Sequence, residues 1–142
     1  MVNFASVSTF RRRLSELLKV KRGVYGSVPE EICKAFNGIH IEQIRQNRDL
    51  VLLNTEFVVI KLRLPDKKQH LSKADGYRLI YLVLKNLPAV VMLDIYPKRG
   101  PSQQLDIDDK EIDRLVREFY EELEMGTLVS LDVNNHLKEI KR

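Results

Sequence analysis

Basic side chains gather on three stretches of this sequence that read as strands. In the run Phe57 to Leu64, Lys61 and Arg63 alternate with apolar residues, so both project from one strand face. Arg78 lies in the next β-rich run, Tyr77 to Leu84, and Lys98 and Arg99 follow a third run over residues 89–96. Between the first two runs, residues 65–75 form a polar, basic loop with Lys67, Lys68 and His70. Cations set around a phosphate can break RNA without a metal. The ribose 2′-OH attacks the adjacent phosphorus and the 5′-oxygen leaves. A base must take the 2′-OH proton and an acid must protonate the leaving oxygen. Fixed positive charge stabilises the phosphorane between them. Arginine can hold two phosphate oxygens at once, and a lysine crowded by arginines gives up its proton more readily, which suits a base.

Other chemistries find little support. No pair of histidines or carboxylates stands at metal-ligand spacing, and no glycine-rich phosphate loop is present. The sequence therefore asks for no metal and no cofactor. The one cysteine, Cys33, falls in a helical pattern without a His-paired partner and reads as a small buried hydrophobe.

The charge distribution fits a polyanion partner. The net charge is only +4, but nine acidic residues lie between Asp106 and Glu124, opposed by Lys110, Arg114 and Arg117. The rest of the chain then holds 21 basic and 11 acidic residues. A basic body beside an acidic helix points to a polyanion on one face, against the plainer reading of a mixed solvated surface. A chain of 142 residues with 44% hydrophobic residues is expected to be one globular domain over residues 1–142. No apolar run is long enough to cross a bilayer, and the first ten residues carry no basic start or long apolar stretch of a signal peptide. The expectation is a cytoplasmic protein with no membrane partner.

The elements that must position these cations follow from periodicity. Residues 2–7 read as a short strand. Ser8 is a candidate N-cap for a helix with Phe10, Leu14, Leu17 and Leu18 inward and Arg11, Arg12 and Arg13 outward. Ser27 to Glu30 reads as a capping box with an early proline. It opens a helix with Ile32, Ala35 and Phe36 inward, ended by Asn37-Gly38, and a short helix follows over residues 41–46. Leu50 to Leu53 is a further strand. Asn86-Leu87-Pro88 turns Tyr77–Leu84 into the next strand as an antiparallel hairpin. Asp108 and Glu111 form a second capping box. The helix behind it carries Ile112, Leu115, Val116, Phe119 and Leu123 on one stripe and stops near Gly126. Residues 128–133 are a candidate final strand. The fold class expected is α+β, with N-terminal helices packed on one face of a small antiparallel sheet and a C-terminal amphipathic helix.

Three strings in order, Ile60-Lys61-Leu62-Arg63, Gly76-Tyr77-Arg78-Leu79-Ile80-Tyr81 and Asp94-Ile95-Tyr96-Pro97-Lys98-Arg99, resemble the signature of the RelE/ParE superfamily of bacterial toxins, RelE/HigB-like members above all. The order of elements is similar over residues 10–119. The resemblance implies a toxin of a type II toxin–antitoxin pair, an endoribonuclease that cuts mRNA, on the ribosome in many members, and so inhibits translation. It also implies a cognate antitoxin. Its ParE branch implies a different activity, inhibition of DNA gyrase without catalysis, and a fold that has lost activity is the third alternative. Residues 65–75 make a longer loop than in the shortest members. No tyrosine follows Arg99 in residues 100–107, where the best-known RelE members carry a catalytic one.

The resemblance and the chemistry together assign roles. Lys61 is the candidate general base or phosphate anchor and Arg78 the candidate transition-state stabiliser. Arg99, with Lys98, would contact the phosphate or aid the leaving group. Arg63, Lys67, Lys68 and His70 are candidate RNA contacts, and Tyr81 and Tyr96 could stack on bases or supply a phenol. Convergence of Lys61, Arg63, Arg78 and Arg99 on one concave surface is the expectation. So is an Arg78→Ala variant that stays folded, because a strand-borne surface arginine adds little stability. Each residue has a structural alternative. Lys61 and Arg63 can be ordinary exposed strand residues, Arg78 can pair with Asp94 on a neighbouring strand, Tyr77 and Tyr81 share the parity of core residues, and Lys67, Lys68 and His70 can be solvated.

Overall fold

The computed structural model describes residues 2–46 and 49–140. A seven-stranded mixed sheet runs through them, with strands β1 (Asn3–Ser6), β2 (Leu50–Leu53), β3 (Phe57–Leu64), β4 (Tyr77–Leu84), β5 (Ala89–Pro97), β6 (Val129–Asp132) and β7 (Lys138–Ile140). Their order across the sheet is β2-β3-β4-β5-β1-β6-β7. The helices are α1 (Ser8–Leu18), α2 (Val28–Phe36), α3 (Ile41–Arg45) and α4 (Asp109–Met125).

The α+β class holds, but the sheet is neither small nor wholly antiparallel. β1 pairs in parallel with β5, Phe4 opposite Val90 and Ser6 opposite Met92, while β6 closes on its other edge. Parallel neighbours need a crossover, and here the chain between them forms α1 to α3 and three strands. The N-terminal helices also do not share one face: Arg13 of α1 reaches Asp94, on the side of Lys61, whereas α2 lies on the other side. Phe36 of α2 packs edge-on against Tyr81 and Phe4, on the face of Tyr77 and Tyr81. Tyr120 of α4 packs on Phe57, whose parity is that of Lys61 and Arg63. With both faces covered, β4 and β5 bury nearly every residue, which is why those segments are apolar at both parities.

Helix ends show where local signals yield to tertiary ones. α4 begins as its sequence directs: the Asp108 carboxylate accepts from Glu111 N at 2.9 Å, and Gly126 ends it in the left-handed conformation at φ 71°. α1 differs. Val7, not Ser8, is its N-cap, and carboxylates of α4 serve its first amides. Glu122 accepts from Ser8 N at 3.0 Å and Glu118 from Thr9 N at 3.0 Å. A carboxylate at a helix N-terminus gains from both the free N–H groups and the dipole. Glu122 is therefore buried on the inner stripe of α4 and Leu123, expected there, is exposed. Ser27 holds the N-cap position of α2, but its hydroxyl makes no capping bond and donates to the buried Asp66 at 3.1 Å.

Candidate functional site

Cross-strand register sets the basic face. Arg63 of β3 lies opposite Arg78 of β4, and Arg78 opposite Tyr96 of β5. One row along, Lys61 lies opposite Ile80 and Ile80 opposite Asp94. Side chains directly opposite share a face, so Lys61, Arg63, Arg78, Asp94 and Tyr96 belong to one side of the sheet. Lys98 follows Tyr96 by two residues, where the chain still bonds to β4's approach through Lys98 N to Gly76 O at 2.9 Å.

The focus of this face is Asp106. Its Oδ1 lies 3.3 Å from Lys98 Nζ and 3.8 Å from Lys61 Nζ. Two ammonium groups, one from β3 and one from the residue after β5, thus meet at one anionic oxygen. Partial burial opposes the charge on Asp106, but the Lys98 hydrogen bond and the Lys61 and Lys98 charges outweigh it and hold this carboxyl below its ordinary range. The segment that carries Asp106 is tied down beside it. Ile107 N donates to the Tyr96 hydroxyl at 3.3 Å, Gln104 N to Pro97 O at 3.0 Å, and Arg13 to Gln104 Oε1 at 2.7 Å. Composition places Asp106 with the acidic run of α4, and nothing in the sequence separates it; only the folding of residues 98–108 back over β5 does.

Arg78 sits at the centre of this row but is buried. Its guanidinium donates to the carbonyls of Ala74 at 2.7 Å, Lys73 at 2.9 Å and Tyr77 at 3.2 Å. Burial first, and the charge of Arg63 next, pull it below the ordinary arginine value. It does not pair with Asp94; Arg13 of α1 does, at 3.5 Å. The expectation of an exposed, structurally dispensable Arg78 is corrected: the side chain clamps the end of the 65–75 loop to β4. Gly76 is structural as well, since a Cβ there would lie 2.0 Å from Leu64 O.

The remaining residues separate. Arg99 is exposed and pairs with Asp75 at 2.7 Å, while its carbonyl accepts from the Tyr25 hydroxyl at 2.9 Å, so it does not join Lys61 and Lys98 at Asp106. Tyr81 and Tyr96 are buried and cannot stack on a base. Tyr81 packs on Phe36 from the opposite face and donates to Ile44 O at 3.4 Å. Burial pushes the Tyr96 phenol up to about 12, which keeps it neutral as acceptor for Ile107 N. Lys68 donates to Gly23 O at 2.6 Å, pinning the basic loop to the turn after α1. Lys67 and His70 are exposed, and His70 adopts a positive φ of 58°.

Compared with models of known protein families the chain matches none, and no curated protein matches it.

Proposed function

We propose that this protein is an endoribonuclease toxin of the RelE/HigB-like kind, acting without a metal through Lys61, Lys98, Arg63 and Arg78. The observation that carries the reading is the meeting of Lys61 and Lys98 on one carboxylate oxygen, in a row that also holds Arg63 and Arg78. A phosphate oxygen has the charge and hydrogen-bonding of the Asp106 oxygen it would replace. In the proposed step, Lys61 acts as the base that takes the 2′-OH proton while the 2′-oxygen bonds to phosphorus. The P–O5′ bond breaks and the Lys98 ammonium protonates the leaving oxygen. The products are a 2′,3′-cyclic phosphate and a 5′-OH end. Arg63 and Arg78 add positive potential for the phosphorane. Arg99, engaged by Asp75, is left a flanking contact. A cognate acidic antitoxin that covers this face is the matching partner, and mRNA, on the ribosome or free, the substrate.

The test is cleavage of single-stranded RNA by purified protein in EDTA, with and without translating ribosomes. Cyclic-phosphate ends are expected, and Lys61→Ala should lower the rate about 100-fold or more. Its circular dichroism and melting should stay unchanged, because the ion pair that Lys61 makes is with the exposed Asp106. Cleavage that needs a divalent ion, or that survives in Lys61→Ala, overturns the assignment; DNA breaks at gyrase sites instead would favour the ParE alternative. Asp106→Asn is expected to tighten RNA binding about two- to fivefold, since the carboxylate competes with phosphate for both lysines. Filter binding at several salt concentrations measures it, and weaker binding would mean that Asp106 contributes to the site instead of blocking it.

A further inference from the structure

Away from Asp106, a cavity of about 450 Å³ opens between α2, α3 and β3, a volume in the range of small-molecule sites. Its wall is apolar, with Phe36, Ile44, Leu62 and Leu64 among its lining. Glu31 of α2 also lines it. That residue is only 4% exposed, and its Oε2 is buried with no hydrogen-bond partner among the described residues. A buried carboxylate oxygen without a donor is costly and rare, so it calls for a missing partner. The rim is cationic: Lys34, Arg63, Lys67 and Lys73 all border the cavity. Lys34 pairs with Glu30 at 3.2 Å, whereas Lys67 and Lys73 have no ion-pair partner among the described residues.

We propose that this cavity binds a guanine nucleotide, with the guanine edge on Glu31 and the phosphate on the lysine rim. The three features demand three things of one ligand: adjacent N–H donors for a carboxylate, a flat apolar body, and an anion at the far end. A cationic peptide side chain would satisfy Glu31 but meet the lysines with like charge. Guanine offers N1–H and the N2 amino group side by side, which a carboxylate can accept together. Adenine and cytosine offer one amino group beside a ring-nitrogen lone pair, which a carboxylate repels. Uracil offers a single N–H between two carbonyls. The base would lie on the apolar wall. The phosphate would find Lys67 and Lys73, whose charges are not already taken.

The guanine can come from a free nucleotide or from a guanosine within an RNA strand. The residues proposed to hold the ligand, Glu31, Lys67 and Lys73, are not those of the cleavage step, although Arg63 borders both sites. Binding is measured by calorimetry on the Lys61→Ala protein, whose cleavage site is disabled, with GMP, with AMP, and with the pentanucleotides UUGUU and UUAUU. Saturable binding of GMP is expected if the source is a free nucleotide, and of UUGUU alone if it is RNA. In either case the adenine counterpart should bind at least about tenfold more weakly. Glu31→Gln removes one acceptor and the charge, and should cost the guanine probe about tenfold or more while leaving the adenine probe unchanged. The double variant Lys67→Ala/Lys73→Ala changes exposed side chains only and should weaken binding of the guanine probe and flatten its salt dependence. Its fold gives a check independent of any change in Glu31. Absence of binding by both guanine probes at millimolar concentration, equal affinity for the adenine probes, or full affinity in the double variant or in folded Glu31→Gln would each overturn the proposal. RNA cleavage by the Lys61 site is read separately, so failure of one leaves the other intact.

Discussion

Arg78→Ala is expected to lower the stability of the protein by about 2–3 kcal/mol, which for a chain of this size is a fall in Tm of roughly 5–10 °C. The guanidinium bonds three carbonyls: those of Lys73 and Ala74 in the loop and that of Tyr77 on the strand. Alanine leaves all three without their donor. Lys73 and Ala74 are exposed and can turn to water, whereas Tyr77 is buried. A hydrogen bond from a charged donor is worth more than a neutral one, so losing three of them costs more than losing three neutral bonds. The loop these bonds hold also carries Asp66, which accepts from Ser27 at 3.1 Å and from Gln69 N at 3.1 Å. Loosening one end should therefore loosen the packing of the turn before α2. Arg78→Lys should recover little, because one ammonium cannot reproduce a planar fork across Lys73 and Ala74. Thermal melts of the two variants beside Lys61→Ala give the comparison. A Tm for Arg78→Ala within about 2 °C of the parent would show that the carbonyl clamp contributes little. An activity loss in Arg78→Ala alone says nothing about chemistry, which is why Lys61 is the better probe of the proposed cleavage.

Elements whose information is local were legible in the sequence. The Asn86-Leu87-Pro88 turn joins β4 and β5 as an antiparallel hairpin, and Asp108 and Gly126 bound α4 as read. Residues 57–64 form one strand with Lys61 and Arg63 on a common face. What escaped depends on partners distant in the chain. The alternation within residues 2–7 specifies a strand, but not that its neighbours are β5 on one side and β6 on the other. Ser8 and Ser27 have the chemistry of N-caps, yet Glu118, Glu122 and Asp66 arrive from elsewhere and change which groups bond. In the sequence Tyr96 reads as a ring that could stack on bases; residues 98–108 cover it, with Ile107 on its hydroxyl. Asp106 and Glu31 carry no local signature at all. Each matters through what the fold sets around it: two lysines for the first, an apolar wall and, among the described residues, no donor to Oε2 for the second.

Asp94→Asn is expected to stabilise the protein by about 2 kcal/mol at pH 7.5 and to flatten its stability between pH 4 and 6. Asp94 is 0% exposed. Burial raises its carboxyl from 3.8 to about 6, against the lowering effects of Arg13 and of the Ile95 amide. The amide donates to Oδ1 at 2.8 Å, while Oδ2 is buried without a hydrogen-bond partner among the described residues. The sign follows from proton counting. Between pH 3.8 and about 6 the folded protein holds a proton here that the unfolded chain has released. Raising the pH through that window therefore costs stability, and the full cost remains above it. A shift of about two pKa units corresponds to roughly 3 kcal/mol, of which asparagine should recover most, since its oxygen can keep the Ile95 bond and its amide carries no charge to bury. Arg13 loses a 3.5 Å partner in exchange but is partly exposed and retains its bond to Gln104. Urea titrations of both proteins from pH 4.5 to 7.5 supply the measurement. The gap between variant and parent should be small at pH 4.5, widen towards pH 6.5 and then stay constant. A variant less stable than the parent at pH 7.5 would mean that the Arg13 pairing outweighs the burial of the charge. Because the carboxyl has no exposed surface beside the Lys61 row, the same substitution should leave RNA cleavage within about twofold of the parent, which separates a residue that shapes the floor of the basic face from those proposed to touch phosphate.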